Sequence, residues 1–447
     1  MKTVCMLVLC SILLVAGTTF AAEGAGEGSL PYDRFETTET CADCHSEIAR
    51  QHARSLMAQS FTHAWDEAEY FELALPHALK NEKVAGVKAG CNGCHAPLAY
   101  LAGDIPPQRP AENTRANEGV SCDVCHSITG FAGEVPFNFN YVMAPGDTKQ
   151  GTRPGMESDG HEIAVNAFLG TAEFCGICHN EKDPFDMWVK ATHLEWKEGP
   201  YGKKGIVCQD CHMPRADGTL SDDGNPVKGV RQHTFHGVHF SEKLNGAVEV
   251  LLYPRTESVA AGDEIVLDAT VMNAKAGHMI PSGSVEERVV WLHVEATDAK
   301  GGKWHLPVDR KGFDGEEWTI ADAGAMAYQD VGDIKGLENF AGLSRDGDVP
   351  AGDRIYRMPY LDPQGRMTIA QWNTASFGPD YRLPPLEAIA ETFTWRLPAD
   401  VPKGDLHIRA TVYMTLVVSS VVDYLKLPAA EKEPVAMGTT EIALRVR

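Results

Sequence analysis

From residue 246 onward the chain alternates between apolar and polar positions. In residues 247–253, Val248, Val250 and Leu252 fall on one face, the period of two that a half-buried strand requires. Residues 264–273, 289–297, 354–361, 391–397, 406–419 and 440–446 have the same character. Turns such as Ala261-Gly262-Asp263 and Lys300-Gly301-Gly302 separate several of them. This pattern predicts an antiparallel, immunoglobulin-like β-sandwich over residues 246–447. It contains no cysteine, so no disulfide would staple it.

Residues 22–245 keep no sustained period. Gly, Pro and short polar runs such as Gly103-Asp104-Ile105-Pro106-Pro107 interrupt them. Helices are predicted at 46–60, 66–79, 162–169 and 184–196. Connections this long and irregular argue against a compact domain, unless something other than side chains forms the core. The length exceeds what one core usually holds. The expectation is therefore an α+β chain of two domains, the first loop-rich and mainly helical.

Five copies of Cys-x-x-Cys-His resolve the conflict. They are Cys41, Cys44 and His45; Cys91, Cys94 and His95; Cys122, Cys125 and His126; Cys175, Cys178 and His179; and Cys208, Cys211 and His212. The spacing is that of covalent haem c attachment: two thiols add to the porphyrin vinyl groups and the histidine binds the iron. A zinc ribbon would not need a histidine after every second cysteine. Five haems would then be the core of the first domain. The short intervals from Cys94 to Cys122 and from His179 to Cys208 would bring neighbouring haems close.

Residues 1–21 read as a secretory signal peptide, with Lys2, an apolar run from Val4 to Ala16, and Thr19-Phe20-Ala21 for cleavage. Cys5 and Cys10 would leave with it. Leu9 is too large for a good lipoprotein site, and no other stretch could cross a bilayer. A periplasmic or extracellular destination follows. The formal charge of −22 argues against nucleic acid as partner and suits basic redox proteins, although acidity also serves solubility.

Outside the motifs the first domain holds His52, His63, His77, His161, His193, His233, His236 and His239. Five irons need five distal ligands, so supply exceeds demand. The cluster His233, His236 and His239 is the strongest source, and His161 is another. His77 and His193 sit on ordinary helical faces.

The stretches CADCHSEIARQHARSLMAQSF, EGVSCDVCHSITG, EFCGICHN and EWKEGPYGKKGIVCQDCHMP resemble the haem domain of multihaem cytochromes such as the tetrahaem electron carrier of nitrifying bacteria. The resemblance covers residues 39–240. In that family the first motif is followed by Trp and then Ser-x-His, whose histidine is a distal ligand. Here His52 stands at the Trp position and Met57 at the ligand position, so His52, Met57 or the neighbouring His63 would serve. Met ligation would raise the potential of that haem. Residues 272–283 resemble the N-x-x-x-G-H-x-x-P-x-G loop of sandwich domains that follow such haem domains. That resemblance directs His278 to a haem or a hydrogen bond across the domain boundary. His293, His305 and His407 read as structural.

The acidic stretches at 309–317 and 330–333 offer oxygen ligands for Ca²⁺, with solvated carboxylates as the alternative. Three functions compete. The first is an electron-transfer protein in which no residue acts as acid, base or nucleophile. The second is a reductase or oxidase of small nitrogen or sulfur compounds, with one iron open at the first motif beside Tyr32, His52 and Arg54. The third is a subunit of a self-assembling conductive filament.

Overall fold

The computed structural model describes residues 24–309, 327–345 and 347–447. The signal-peptide assignment and most of the 309–317 stretch lie outside them.

The carboxy-terminal half is built on two sheets. In the first, β1 (Val248–Pro254), β3 (Glu264–Asn273) and β7 (Ala388–Arg396) pair antiparallel in the order β7-β3-β1. In the second, β2 (Ser258–Val259), β9 (Val435–Val446), β8 (Gly404–Thr415), β4 (Val289–Thr297) and β5 (Lys303–His305) follow in that order, and β6 (Arg354–Tyr356) also pairs with β4. Only the β2–β9 contact is parallel in this sheet. The alternation read from the sequence is carried out in space. Ile265, Leu267, Ala269 and Val271 of β3 are buried. They share one apolar cluster with Leu406, Ile408, Ala410 and Val412 of β8 and with Phe393 of β7.

The amino-terminal half consists of short helices, two-stranded ribbons and turns. Its apolar clusters are small, one around Leu98, Leu101, Ile128, Tyr141 and Ile177, another around Phe61, Ala96, Ala99 and Ala116. The helix expected over 46–60 stops at Ala53, where the Ser55 hydroxyl donates to the His52 carbonyl. The 66–79 expectation corresponds to a helical run from Ala64 to Ala78 with a π-helical turn at Glu69–Ala74. That turn precedes Pro76, whose ring nitrogen cannot donate.

Two expected helices are strands. Glu162–Val165 pairs parallel with Thr148–Gly151, as suits β-branched Ile163 and Val165. Trp188–Ala191 pairs with Asn180–Lys182, and the helix begins only at Thr192. The Asp183 carboxylate accepts from the Phe185 and Met187 amides, a local bond that favours a turn over a helix.

The halves are joined by a mixed cluster. Trp65, Tyr70, Leu73 and Val87 pack with Val289, Trp291, Ile355 and Val421. Glu195 of the first half accepts from Arg382 at 2.6 Å and from Ser282 at 2.6 Å in the second.

Candidate haem-binding sites

Each motif closes on or just after a short helix: Thr38–Ala42, Val87–His95, Cys122–Ser127, Ala172–His179 and Cys208–His212. Residues three apart share a helix face, so the two thiols of a motif project together. Two helices start on side-chain caps, Thr37 accepting from the Thr40 amide and Ser121 from the Val124 amide. All ten motif cysteines are unlinked, leaving the thiols for thioether bonds.

Four of the five motif histidines are held by their inner nitrogen. Nδ1 lies 2.6 Å from the Leu220 carbonyl in His45, 2.9 Å from Ser60 in His95, 2.7 Å from Gln150 in His126 and 2.8 Å from His236 in His212. Donation from Nδ1 leaves the Nε2 lone pair free, the arrangement expected of an iron ligand. Burial pushes His126 down, and His179 and His212 down to about 4, which keeps these rings neutral. Thiols, neutral imidazoles and helix geometry together fit haem c.

Two histidines from outside the motifs face motif histidines. The His45 and His161 ring centroids are 6.2 Å apart, and those of His126 and His233 are 6.3 Å apart. Two imidazoles that each bind one metal at about 2 Å would have centroids about 6 Å apart. His161 and His233 also turn Nδ1 toward backbone carbonyls, of Glu162 at 3.0 Å and Arg231 at 3.1 Å.

The other candidates are elsewhere. His52 is not opposite His45. It contacts the Val120 carbonyl through Nε2 at 2.9 Å and meets Phe235 edge-on. The Met57 carbonyl accepts from the Val120 amide. His236 stacks on Phe240 at 4.0 Å. His278 holds Nδ1 at 2.8 Å from the Met279 carbonyl and lies near both His179 and His212. His63 and His239 meet at Glu431.

His193, read from sequence as sitting on an ordinary helical face, is 1 % exposed with its Nε2 unpartnered. Its ring packs on Gly176 of the fourth motif so closely that a Cβ there would lie 2.8 Å from it. The glycine inside Cys-Gly-Ile-Cys-His was the available signal.

The thiols also show which motifs adjoin. The thiols of Cys41 and Cys122, of Cys94 and Cys178, and of Cys175 and Cys208 lie close enough to act on one another's ionisation. The second motif therefore neighbours the fourth. The expected closeness of the fourth and fifth is present.

His95 differs from the rest. Besides the Ser60 carbonyl, its Nδ1 faces Asp66 Oδ1 at 3.0 Å. Although burial opposes its charge, the Asp66 carboxylate raises it to about 9. Like His179 and His212, it has no other imidazole in ring contact among the described residues. Around Cys91 and Cys94 lie Glu69, Glu181 and Lys190, with Glu286 and Glu287 beyond. Burial raises Glu69 to about 8, Glu286 to about 7, and Glu287 well above the usual carboxylate range. Burial opposes the Lys190 charge too, but Glu181, Glu286 and Glu69 hold it above its ordinary range. Both Glu286 oxygens and one each of Glu69 and Glu287 make no hydrogen bond.

The carboxylates considered for Ca²⁺ are committed to protein donors where they are described. Asp309 accepts from Thr394, Asp330 from Thr368 and the Ala370 amide, and Asp333 from Arg366.

A family model for cytochrome c554 and c-prime matches residues 40–127, and one for the N-terminal region of the NapC/NirT cytochrome c family matches 159–257. Cytochrome c-552 of Haemophilus influenzae strain 86-028NP is 26% identical over 220 residues, 45% of this chain and 33% of that protein. The same protein of a second strain is 26% identical over 187 residues, 40% and 28%. The chain thus spans about a third of the length of these curated relatives. The penta-heme cytochrome c552 from Thermochromatium tepidum superposes with a TM-score of 0.61 at 20% identity, over 93% of this chain and 100% of that one. The fold is therefore shared across both halves. No helix among the described residues is long and apolar enough to cross a membrane.

Proposed function

Given that the chain is a multihaem c-type cytochrome, we propose that it holds five haems c and passes electrons between redox partners. The observation that carries this reading is the pair of opposed imidazoles, His45 with His161 and His126 with His233, at the spacing of two ligands on one metal. A bound haem c supplies a one-electron couple. The chain's part is to present neutral imidazoles, exclude water and hold the motifs adjacent. The thiol contacts give the order first to third and second to fourth to fifth. The third would adjoin the fourth, since Cys125 is near enough to Cys175 to raise that thiol. In this reading His278 serves the fourth and fifth motifs. Residues 1–21 are removed on export, 22–245 form the haem domain, and 246–447 an immunoglobulin-like sandwich. Work in the periplasm or outside the cell follows from that export, and basic redox proteins suit the acidic charge.

The intact mass of the exported protein should show five haem additions. His161→Ala and His233→Ala should each convert one low-spin haem to high-spin in electron paramagnetic resonance. Fewer additions, or an unchanged low-spin signal in both variants, would defeat the reading.

His95 favours a second reading, a reductase of small nitrogen or sulfur compounds. His161 faces the first motif, so the open position moves to the second, where Asp66 backs the imidazole and Glu69, Lys190, Glu286 and Glu287 could supply protons. Carbon monoxide bound by about one haem in five of the reduced protein would support it. No spectral change would leave electron transfer alone.

A further inference from the structure

His63 and His239 come from the haem-bearing half. Glu431 comes from the turn Ala429–Lys432 in the sheet-rich half, and is only 6 % exposed. His63 Nε2 lies 3.2 Å from Glu431 Oε1, and His239 Nε2 lies 3.5 Å from Oε2. One ligand atom from each residue falls within 4.8 Å of the others.

These separations are long for direct hydrogen bonds between imidazolium and carboxylate, which run about 2.7–2.9 Å. The two run to different oxygens of one carboxylate, and each is close to the roughly 3.3 Å between neighbouring donors around a metal with ligands at about 2 Å, so Glu431 would offer both oxygens to an ion between the rings. Glu431 Oε2 is buried and makes no hydrogen bond. The two rings are splayed, with centroids 4.7 Å apart and planes at 74°, as for two imidazoles aimed at a common point. On the far side of His63, Asp66 Oδ2 faces Nδ1 at 3.3 Å. A carboxylate behind a ligating imidazole is the usual outer support of a zinc-bound histidine.

A second group of the same composition shows the contrast. His293 and His305 reach Asp353 at 2.9 and 2.6 Å, with rings stacked 9° from parallel. Those are closed hydrogen bonds and leave no room for an ion.

We propose that His63, His239 and Glu431 bind one divalent transition-metal ion of the zinc class, which clamps the haem-bearing half to the sheet-rich half. Two imidazoles and one carboxylate suit zinc rather than Ca²⁺ or Mg²⁺, which take oxygen donors. A water would complete the set beside His239, whose side chain is 26 % exposed. The clamp is independent of how many haems the chain carries, so zinc is counted per chain rather than per iron. In this arrangement neither His63 nor His239 is a haem ligand.

The test uses the full holoprotein, stripped with a chelator, incubated with zinc sulfate at micromolar concentration and desalted. Wild type should retain roughly one zinc per chain and unfold at a higher temperature than the stripped protein. His63→Ala, His239→Ala and Glu431→Gln should lose the zinc and the thermal shift, with the visible haem spectrum confirming that each is folded. Asp66→Asn should weaken binding about 10–100-fold, and His293→Ala should bind as wild type. The low-spin haem signal should be unchanged in His63→Ala and His239→Ala. Zinc retained by all three ligand variants, no zinc in wild type, or a haem turned high-spin by loss of His63 or His239 would each overturn the proposal.

Discussion

In the sheet-rich half, Leu267, Phe393, Leu406 and Val412 point from two sheets into one apolar cluster. In residues 24–245 the buried apolar residues form small separate groups, and between them lie motif cysteines with unlinked thiols and histidines held by Nδ1. The first kind of core is made of the chain's own side chains. The second is arranged around something the chain must acquire. Ordering a residue costs about 1–2 kcal/mol of backbone entropy, and the small clusters of the first half bury too little to offset that across so many turns. Haem c, bound covalently, supplies the missing apolar surface.

The largest test of this contrast is to withhold the haems. Expressed without haem attachment, the protein should lose the order of residues 24–245 while the sheets persist. Far-ultraviolet circular dichroism would show strand signal only, and proteolysis would leave a resistant fragment starting near residue 245. Loss of both halves together would show that the shared cluster around Trp65 and Trp291 makes them one folding unit.

The reverse break is Phe393→Ala. Its side chain is 1 % exposed, so its removal should cost about 3–5 kcal/mol by denaturant titration, with the haem spectrum unchanged.

The junction should respond to pH. Burial raises Glu286 from 4.5 to about 7 and Glu69 from 4.5 to about 8. Between 4.5 and those values the folded protein holds protons that the unfolded chain has released. Stability is therefore full below pH 4.5 and falls as pH rises through 7 and 8, by up to about 1.4 kcal/mol per pH unit for each group. Glu286→Gln should flatten the slope between pH 4.5 and 7. A slope equal to wild type would show that Glu286 ionises as freely folded as unfolded.

The smallest effect is expected from Glu195→Gln, which weakens the bridge to Arg382 and Ser282. The loss should be about 2 kcal/mol, and calorimetry should separate one thermal transition into two.

Legibility differed between the halves for the same reason. Strand positions 264–273 and 289–297 were readable because one buried face forces an alternation that every residue records. The helix expected at 184–196 failed because its first residues answer to Asp183 and to a partner strand. The shift of the candidate open iron from the first motif to the second had no local signal. It depends on His161 reaching His45 and on Asp66 lying behind His95.

The sequence by itself determined the five Cys-x-x-Cys-His motifs and the strands of the second half, because thiol spacing on a helical turn and alternation along a strand are set by bond geometry within a few residues. Only the tertiary structure decided which histidine faces which, that the second motif neighbours the fourth, and that Glu431 meets His63 and His239. Those pairings join residues far apart in the chain. They are chosen by which surfaces bury together, a property of the whole packed molecule that no short stretch records.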